Sequence, residues 1–338
     1  MVGPITFGIF ADLHVDIIHD ALDRLDTFLE QSKERDVDFI IELGDFCYPE
    51  TRKCICKPEN RPVNIQNSLT FPTYAPKDLI ISHYQNFNKP AYHVLGNHDG
   101  DMCSKKDVLA YYDSYGGHHE PYYSFNQNGI HFIVLDCNYY MQNGQFISFS
   151  NGNYFDAPFE GGNLPWLPPE EVEWLKNDLN QTTCPSVLFS HQRLYGGYSC
   201  IHNSLEVMQI LKEAPSGIIM VINGHEHLDD LRKEEGIWFY NVNSMSNFWV
   251  GEDYEVLGRY GDEMDEKYPN LRYVIPYAGP IYSFVTIQES EIHIRGVTTD
   301  FVGKTPIEMG LWKGKPLYEI ILQSDITAES KDHDIVWK

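Results

Sequence analysis

The chain has 338 residues, which is long enough to bury one large hydrophobic core or two medium-sized ones. Hydrophobic residues make up 42% of it, so the composition is that of a globular protein rather than a disordered one. Acidic residues outnumber basic ones by 49 to 25. The formal net charge of -24 disfavours duplex nucleic acid and anionic membranes as partners, unless bound metal ions create a local positive patch.

Cysteine usage and targeting signals bear on the cellular compartment. The seven cysteines include no CxxC pair, which argues against a zinc knuckle or a dithiol redox motif. The first apolar run, residues 5–11, has no basic lead-in and is too short for an export signal. No stretch approaches the ~20 apolar residues of a membrane span. We therefore expect a cytoplasmic protein with reduced thiols and no membrane partner.

Apolar runs rich in β-branched residues alternate along the chain with amphipathic stretches of helical period. The predicted strands are residues 5–11, 37–43, 91–95, 122–125, 130–137, 186–190, 217–223, 238–242, 281–287 and 291–297. The predicted helices are residues 17–35, 77–87, 104–112, 169–180 and 204–212. Alternation of strand and helix predicts an α/β architecture.

Three stretches interrupt this rhythm. Residues 46–76, 138–168 and 252–278 are rich in proline, asparagine, aromatic or charged residues and lack a clear period. Stretches of this length inside a domain are usually lids or binding loops. We therefore predict one domain over residues 1–300 with three insertions. A C-terminal extension over residues 301–338 would carry one more strand, at 317–322, and a frayed polar end.

Polar side chains follow five of the predicted strands where each strand ends, which is where open α/β sheets place their ligands. They are Asp12 with His14, Asp45, Asn97 with His98 and Asp99, His191, and His225 with His227. Because alternate residues of an extended segment point the same way, both side chains of each D-x-H or H-x-H pair can face one ion. Such nitrogen and oxygen ligands suit Mn, Fe or Zn, and one carboxylate can bridge two ions roughly 3.5–4 Å apart.

Five short blocks carry these residues. They are Asp12-Leu13-His14, Gly44-Asp45, Gly96-Asn97-His98-Asp99, His191 and Gly224-His225-Glu226-His227. Their order and spacing resemble the calcineurin-like metallophosphoesterase superfamily. The resemblance implies a four-layer α-β-β-α sandwich, in which two mixed sheets pack face to face and helices lie outside. It also implies two metal ions.

The resemblance further implies a role for each block. The first ion would be bound by Asp12, His14 and His227, the second by Asn97, His191 and His225, and Asp45 would bridge them. His98 would contact the substrate phosphate and protonate the departing oxygen. A hydroxide held between the ions, its pKa lowered by them, would be the nucleophile.

Two departures from the patterns of the relatives involve Tyr48. Many members carry a carboxylate three residues after the bridging Asp, which steadies the catalytic His. Here that residue is Tyr48, which leaves Asp99 or a distant acid as the catalytic partner of His98. Gly44-Asp45-Phe46-Cys47-Tyr48 is also similar to the G-D-x-x-Y block of purple acid phosphatases, where the Tyr binds iron. Those enzymes lack the His of D-x-H, so we expect Tyr48 to be a packed or lid residue and a candidate substrate contact.

The block set is also similar to class III cyclic-nucleotide phosphodiesterases and to manganese-dependent ADP-ribose/CDP-alcohol diphosphatases. We therefore expect a two-metal hydrolase of small phosphodiesters or nucleotide pyrophosphates, with Arg193 and Tyr195 as candidate substrate contacts. Two alternatives stay open. One is phosphomonoester hydrolysis, including phosphoprotein substrates, and the other is a non-catalytic protein-binding scaffold. The scaffold is disfavoured because every ligand position is filled.

Overall fold

A computed structural model describes residues 2–46, 76–101, 104–114, 118–154, 165–197, 199–251, 254–311 and 325–338. The strands in these ranges are β1 (Ile5–Phe10), β2 (Phe39–Glu42), β3 (Ala91–His93), β4 (Tyr123–Gln127), β5 (Ile130–Val134), β6 (Tyr139–Gln142), β7 (Gln145–Ser148), β8 (Ser186–Ser190), β9 (Ile218–Asn223), β10 (Asp230–Glu234), β11 (Ile237–Asn241), β12 (Asn247–Trp249), β13 (Val274–Pro276), β14 (Ser283–Gln288), β15 (Glu291–Gly296) and β16 (His333–Val336). The helices are α1 (Ala21–Glu34), α2 (Pro76–Gln85), α3 (Lys105–Ser114), α4 (Pro169–Gln181), α5 (Ser204–Glu213) and α6 (Asp262–Lys267).

Two six-stranded sheets form the centre of the described structure. The first has the order β16-β15-β14-β1-β2-β3, in which β1, β2 and β3 are parallel and the other strands are added antiparallel. The second has the order β10-β11-β9-β8-β5-β4, in which the two edge strands are antiparallel to the rest. Both sheets are therefore mixed.

The facing sides of the two sheets enclose the main core. Along β1, Phe7 and Ile9 point into this core and Phe10 points to the opposite side, as the two-residue period of a strand requires. The Phe7 ring stacks on Phe39 at 4.9 Å and meets the edge of Phe132, from the second sheet, at 6.0 Å. Such aromatic pairs contribute ~0.5–1.5 kcal/mol beyond the burial of their area.

Helices cover the outer sides of both sheets. Leu25 and Phe28 of α1 lie on the first sheet, in one cluster with residues of α2 and α3. Leu175 of α4 and Leu211 of α5 lie on the second sheet. The order helix, sheet, sheet, helix confirms the predicted four-layer sandwich.

The predicted insertions contain regular structure where they are described. The stretch 138–168 includes the antiparallel hairpin of β6 and β7. The stretch 252–278 includes α6, the short 3-10 helix Leu271–Tyr273 and β13, which pairs with β12. Residues 47–75 of the first insertion lie outside the described residues, and so does the strand predicted at 317–322.

The C-terminal end differs from the expectation of fraying. Strand β16 pairs antiparallel with β15 at the edge of the first sheet. Ile335 and Trp337 pack against the core between the sheets. Burial of these two apolar side chains therefore holds a terminus whose composition alone is polar.

Candidate metal centre

The loops that follow the strands of both sheets meet beyond the carboxyl ends of those strands. After β1 and β2, the Asp12 N–H donates to the Gly44 carbonyl at 3.0 Å, and the His14 N–H donates to the Asp45 carbonyl at 3.1 Å. From the second sheet, the His225 N–H donates to Asp12 Oδ2 at 3.0 Å. These bonds join the two sheets at the point where the predicted ligands lie.

Five of the predicted ligands have a backbone φ in the left-handed region. The angles are 55° at Asp12, 51° at His14, 56° at Asp45, 70° at His225 and 51° at His227. Residues other than glycine adopt this region rarely, and each instance costs on the order of 1–3 kcal/mol. Strain of this kind concentrates at functional sites. The prediction that the D-x-H and H-x-H segments are extended is therefore wrong, because the backbone turns at each of these residues.

We call Asp12, His14 and His227 the first cluster. Asp12 Oδ1 lies 3.2 Å from His227 Nε2 and 3.9 Å from His14 Nε2. The two imidazole nitrogens, His14 Nε2 and His227 Nε2, are 3.3 Å apart. All three residues are buried and could hold one metal ion between these atoms.

We call Asp45, His191, His225 and Asn97 the second cluster. His191 Nε2 is its central atom, 3.2 Å from Asp45 Oδ2, 3.2 Å from His225 Nδ1 and 3.0 Å from Asn97 Oδ1. The clusters are neighbours, because Asp12 Oδ1 of the first lies 4.0 Å from His191 Nε2 of the second. His225 and His227 thus belong to different clusters, as the resemblance implies, although an extended H-x-H segment would let both side chains face one ion.

Hydrogen bonds on the far sides of two rings fix which nitrogen faces each cluster. His191 Nδ1 lies 2.8 Å from the Leu43 carbonyl, and His227 Nδ1 lies 2.7 Å from the Asn247 carbonyl. A carbonyl oxygen only accepts, so Nδ1 carries the proton in both rings. In the neutral ring, Nε2 then presents a lone pair to the cluster, as metal-binding histidines do.

The atoms inside the clusters fit a metal ion better than they fit one another. Asp12 Oδ1 is buried without a hydrogen-bond partner among the described residues. A neutral His227 ring directs its Nε2 lone pair towards His14 Nε2, a second nitrogen only 3.3 Å away. A cation placed between such atoms would satisfy them together, and a mixed nitrogen and oxygen donor set suits Mn, Fe or Zn.

Protonation states also distinguish the groups. Burial lowers the pKa of His14 to about 4 and that of His225 to about 4. Burial opposes ionisation of Asp45, but the nearby His191 and His98 outweigh it and hold the pKa of Asp45 well below its usual value. Neutral imidazole and ionised carboxylate are the forms that bind metals. Burial also opposes protonation of His191, yet Asp45 outweighs it and raises the pKa of His191 to about 9.

Two glycines of the motifs allow the loops to approach this closely. A Cβ on Gly96 would lie 2.0 Å from the Asp45 backbone nitrogen and 2.2 Å from Asp45 Oδ1. Gly44 has φ of +96°, and a Cβ there would lie 2.5 Å from the Gly96 nitrogen and 2.8 Å from His191 Nδ1. No side chain fits at either position, so both glycines are explained by close packing around Asp45.

His98 lies beside the clusters, and its ring centroid is 5.9 Å from that of His14. Its Nδ1 is 2.8 Å from Asp101 Oδ2 and 3.2 Å from the Tyr154 hydroxyl. Neither partner is among the residues predicted from sequence. The three-residue spacing of Asp101 from His98 is a signal that could have identified it, whereas nothing in the sequence connects Tyr154 with His98.

Asp99, predicted as a catalytic partner of His98, makes other contacts. Its Oδ2 accepts the N–H of Gly96 at 2.8 Å and the N–H of Asp45 at 3.1 Å. It is buried, and these two bonds hold the loop that carries Asn97 against the loop that carries Asp45. Asp101, rather than Asp99, provides the carboxylate at His98 Nδ1.

Arg193 and Tyr195 are placed differently from the prediction that they contact substrate. Arg193 is fully buried, and its guanidinium binds Glu226 Oε2 at 2.6 Å and Asp230 Oδ2 at 2.9 Å. Tyr195 packs against the outer core of the second sheet, with its ring 6.1 Å from Phe239. Arg193 therefore acts on the loop between His225 and His227. Tyr48, the third candidate substrate contact, lies outside the described residues.

Among the described residues, no helix combines the length and the apolar character that crossing a membrane requires.

The comparisons with known proteins agree with the architecture. A sequence profile described as calcineurin-like phosphoesterase matches residues 5–229, which is more than half of the chain.

The crystal structure of a dimetal phosphatase from Danio rerio aligns with 88% of this chain and 98% of its own, with a TM-score of 0.59 and 14% sequence identity. At this identity the likeness shows the fold. Among curated proteins, Purple acid phosphatase 15 of Arabidopsis thaliana is 26% identical over 149 residues, which are 40% of this chain and 24% of that protein. The chain thus spans about a quarter of the length of the curated relative that it matches.

Proposed function

Because this chain belongs to the calcineurin-like phosphoesterase family, whose activity is metal-dependent hydrolysis of phosphoester bonds, we propose that it cleaves small phosphodiester or nucleotide pyrophosphate substrates with two bound ions. The observation that carries the proposal is the convergence of the two clusters. Seven side chains from both sheets direct nitrogen and oxygen atoms to adjacent points. Ions of Mn, Fe or Zn suit this donor set.

The ligands of each ion follow from the clusters. Asp12, His14 and His227 would hold the first ion, and Asn97, His191 and His225 would hold the second. Asp45, whose charge acts on both His14 and His191, would be shared by the two. When bound, the two ions neutralise phosphate charge and activate a water molecule for attack.

His98 is the catalytic residue that the geometry supports best. Its side chain is 30% exposed, whereas the ligands other than His225 are buried, so substrate reaches the centre past this ring. His98 donates a hydrogen bond to a phosphate oxygen and then a proton to the departing oxygen as the P–O bond breaks. Asp99 serves this reaction by holding the Asp45 and Asn97 loops together.

The charge distribution supports a diester over a monoester. A phosphodiester and each phosphoryl group of a pyrophosphate diester carry one negative charge, and a phosphomonoester group carries up to two at neutral pH. The first basic residue after His191 is Arg193, whose charge is already paired with Glu226 and Asp230. The protein itself has a net charge of -24, which further disfavours highly charged substrates such as duplex nucleic acid.

Hydrolysis of phosphomonoesters is the second candidate, and the local match to a purple acid phosphatase favours it. The filled ligand positions disfavour a non-catalytic scaffold. We also propose a cytoplasmic location, which is compatible with the free thiols of Cys137, Cys184 and Cys200 in the described structure.

A substrate screen with the manganese-loaded protein tests the proposal. The substrates are bis(4-nitrophenyl) phosphate, 4-nitrophenyl phosphate, a cyclic nucleotide and a nucleoside diphosphate sugar. We expect kcat/KM for the best diester or pyrophosphate to exceed that for the monoester at least about tenfold, a difference of ~1.4 kcal/mol in transition-state binding. A higher kcat/KM for the monoester would contradict the diester assignment.

A matched pair of histidine variants separates the metal centre from the rest of the surface. His227→Ala removes a first-cluster ligand and should abolish turnover. His202→Ala removes an exposed ring that stacks on Trp166 at 4.1 Å and should leave turnover unchanged. Fewer than one ion per chain after manganese loading of the wild-type protein would contradict the two-ion centre.

A further inference from the structure

A tight turn brings Asp101 next to His98. The Asp101 N–H donates to the His98 carbonyl at 3.1 Å, which closes the turn, and Asp101 Oδ2 lies 2.8 Å from His98 Nδ1. Asp101 is fully buried, whereas the His98 side chain is 30% exposed. The carboxylate therefore contacts Nδ1 of the ring and does not occupy Nε2.

Tyr154 reaches the same pair from the 138–168 insertion. Its hydroxyl donates to Asp101 Oδ1, and its oxygen lies 3.2 Å from His98 Nδ1. The ring stacks on Phe149 at 4.3 Å with an interplanar angle of 11°. Because the single hydroxyl proton goes to the carboxylate, the Tyr154 oxygen is an acceptor towards His98. The Nδ1–H of His98 thus faces two acceptors, Asp101 Oδ2 and the Tyr154 hydroxyl oxygen.

Further bonds hold the insertion on this turn. The Gly152 N–H donates to the Gly100 carbonyl at 2.9 Å. On the other side, the Lys105 N–H donates to Ser150 Oγ at 3.3 Å. The position of the Tyr154 hydroxyl is therefore set by backbone contacts between the insertion and the loop that carries His98.

We infer that Asp101 and Tyr154 are positioning residues for His98, and that together they keep Nδ1 a donor to protein so that Nε2 faces the departing oxygen of the substrate. This inference rests on the proposed function. As the P–O bond breaks, the departing oxygen takes the proton from Nε2, while the Nδ1 proton stays between Asp101 and Tyr154. The insertion thereby acts on the chemical step through His98 and Asp101.

Two esters of thymidine 5′-monophosphate, with 4-nitrophenol and with phenol as leaving groups, test the inference. 4-Nitrophenolate departs without a proton, whereas the departure of phenolate is helped by one. General acid catalysis is worth ~10²–10⁴-fold. We therefore expect Asp101→Asn to lower kcat about 100-fold on the phenyl ester and about 10-fold or less on the nitrophenyl ester. Tyr154→Phe keeps the stacked ring and should lower kcat about 5-fold on the phenyl ester only.

Controls separate this role from a loss of structure. Tyr140→Phe removes a hydroxyl from the same small aromatic cluster as Phe149 and Tyr154, and it should leave the ratio of the two rates unchanged. KM and manganese content should stay within about twofold in all variants, since binding energy is not removed. Ring-nitrogen NMR of His98 should show a protonated Nδ1 in the wild type and in Tyr140→Phe.

The outcomes distinguish the two hypotheses. Wild-type protein that hydrolyses neither ester would overturn the proposed function and this inference with it. Active wild-type protein in which Asp101→Asn and Tyr154→Phe lower both rates equally, or change KM alone, would overturn the inference and leave the proposed function standing.

Discussion

The two clusters differ in how ready they are to accept a metal ion. In the first, burial lowers the pKa of His14 to about 4, so its imidazole carries no proton at neutral pH. In the second, Asp45 outweighs burial and raises the pKa of His191 to about 9, so a proton occupies the central nitrogen until an ion displaces it. The second cluster also includes Asn97, a neutral ligand. We therefore expect the first ion to bind more tightly, because protons and metals compete for the same lone pairs.

Removing the charge that both clusters share should have the largest effect. Asp45→Asn keeps the shape of the side chain but deletes the carboxylate that acts on His14 and His191 together. We expect turnover to fall at least about 1,000-fold, since a lost electrostatic contact in a catalytic site costs ~10²–10³ and the second ion is lost as well. Turnover with a bis-aryl phosphate and metal content measure both effects. Full activity with two ions bound would exclude a bridging role.

Ligand deletions confined to one cluster should separate the two ions. His14→Ala removes an imidazole from the first cluster and should weaken the tighter ion about 100-fold. Asn97→Ala removes a neutral oxygen from the second cluster and should weaken only the weaker ion, about 10-fold. Calorimetric titration with Mn²⁺ resolves the two binding phases. If either variant weakened both phases by the same factor, the division into two clusters would be wrong.

The pH dependence of metal binding should differ between the phases. His14 carries no proton above pH ~5, so its own protonation should add no pH dependence to the affinity for the first ion from pH 6 to 8.5. His191 loses a proton when the second ion binds below its pKa of about 9, so affinity for that ion should rise about tenfold per pH unit over this range. Titrations in buffers with different ionisation enthalpies count the released proton. Equal slopes of affinity against pH for the two binding phases would contradict the proposed difference between the clusters.

The arrangement of the clusters could be predicted only in part. Strand ends can be recognised in the sequence because apolar runs such as 5–11 stop at polar residues. This is enough to predict that the ligands at those ends lie close together. The left-handed backbone at Asp12 and His225 cannot be predicted from the sequence, because Asp and His usually adopt other conformations. For that reason the sequence predicts an extended backbone in D-x-H and H-x-H, which is wrong, although Asp12 and His14 lie in one cluster as expected.

Contacts between loops were the other part that sequence could not supply. Tyr154 and His98 are 56 residues apart, and no periodic pattern spans that distance. Arg193 was predicted to face substrate because it follows His191 closely, but a carboxylate from a different loop, Glu226, lies near enough to bind it. Side-chain partners of this kind depend on the folded arrangement of loops, and loops lack the periodicity on which the predictions rest.

Replacing Arg193 should give the smallest difference in metal affinity between the two clusters, because Arg193 supports the loop that carries a histidine of each. Its guanidinium binds Glu226, and that residue lies between His225 of the second cluster and His227 of the first. Arg193→Met would leave the buried Glu226 carboxylate without its cation, a change that costs ~3–5 kcal/mol of folding stability. Because one loop carries both histidines, affinity for the two ions should fall by the same factor, about 10-fold.

Arg232→Met is the matched control for that variant. Arg232 also binds Asp230, at 2.7 Å, but its side chain is 36% exposed and none of its hydrogen bonds in the described structure reaches Glu226. An exposed pair of this kind is worth ~0–1 kcal/mol, so denaturant unfolding should change little and both manganese phases should remain. Unequal losses in Arg193→Met would show that its loop supports one cluster more than the other. The ranking of the two ions would then depend on loop support as well as on the proton held by His191.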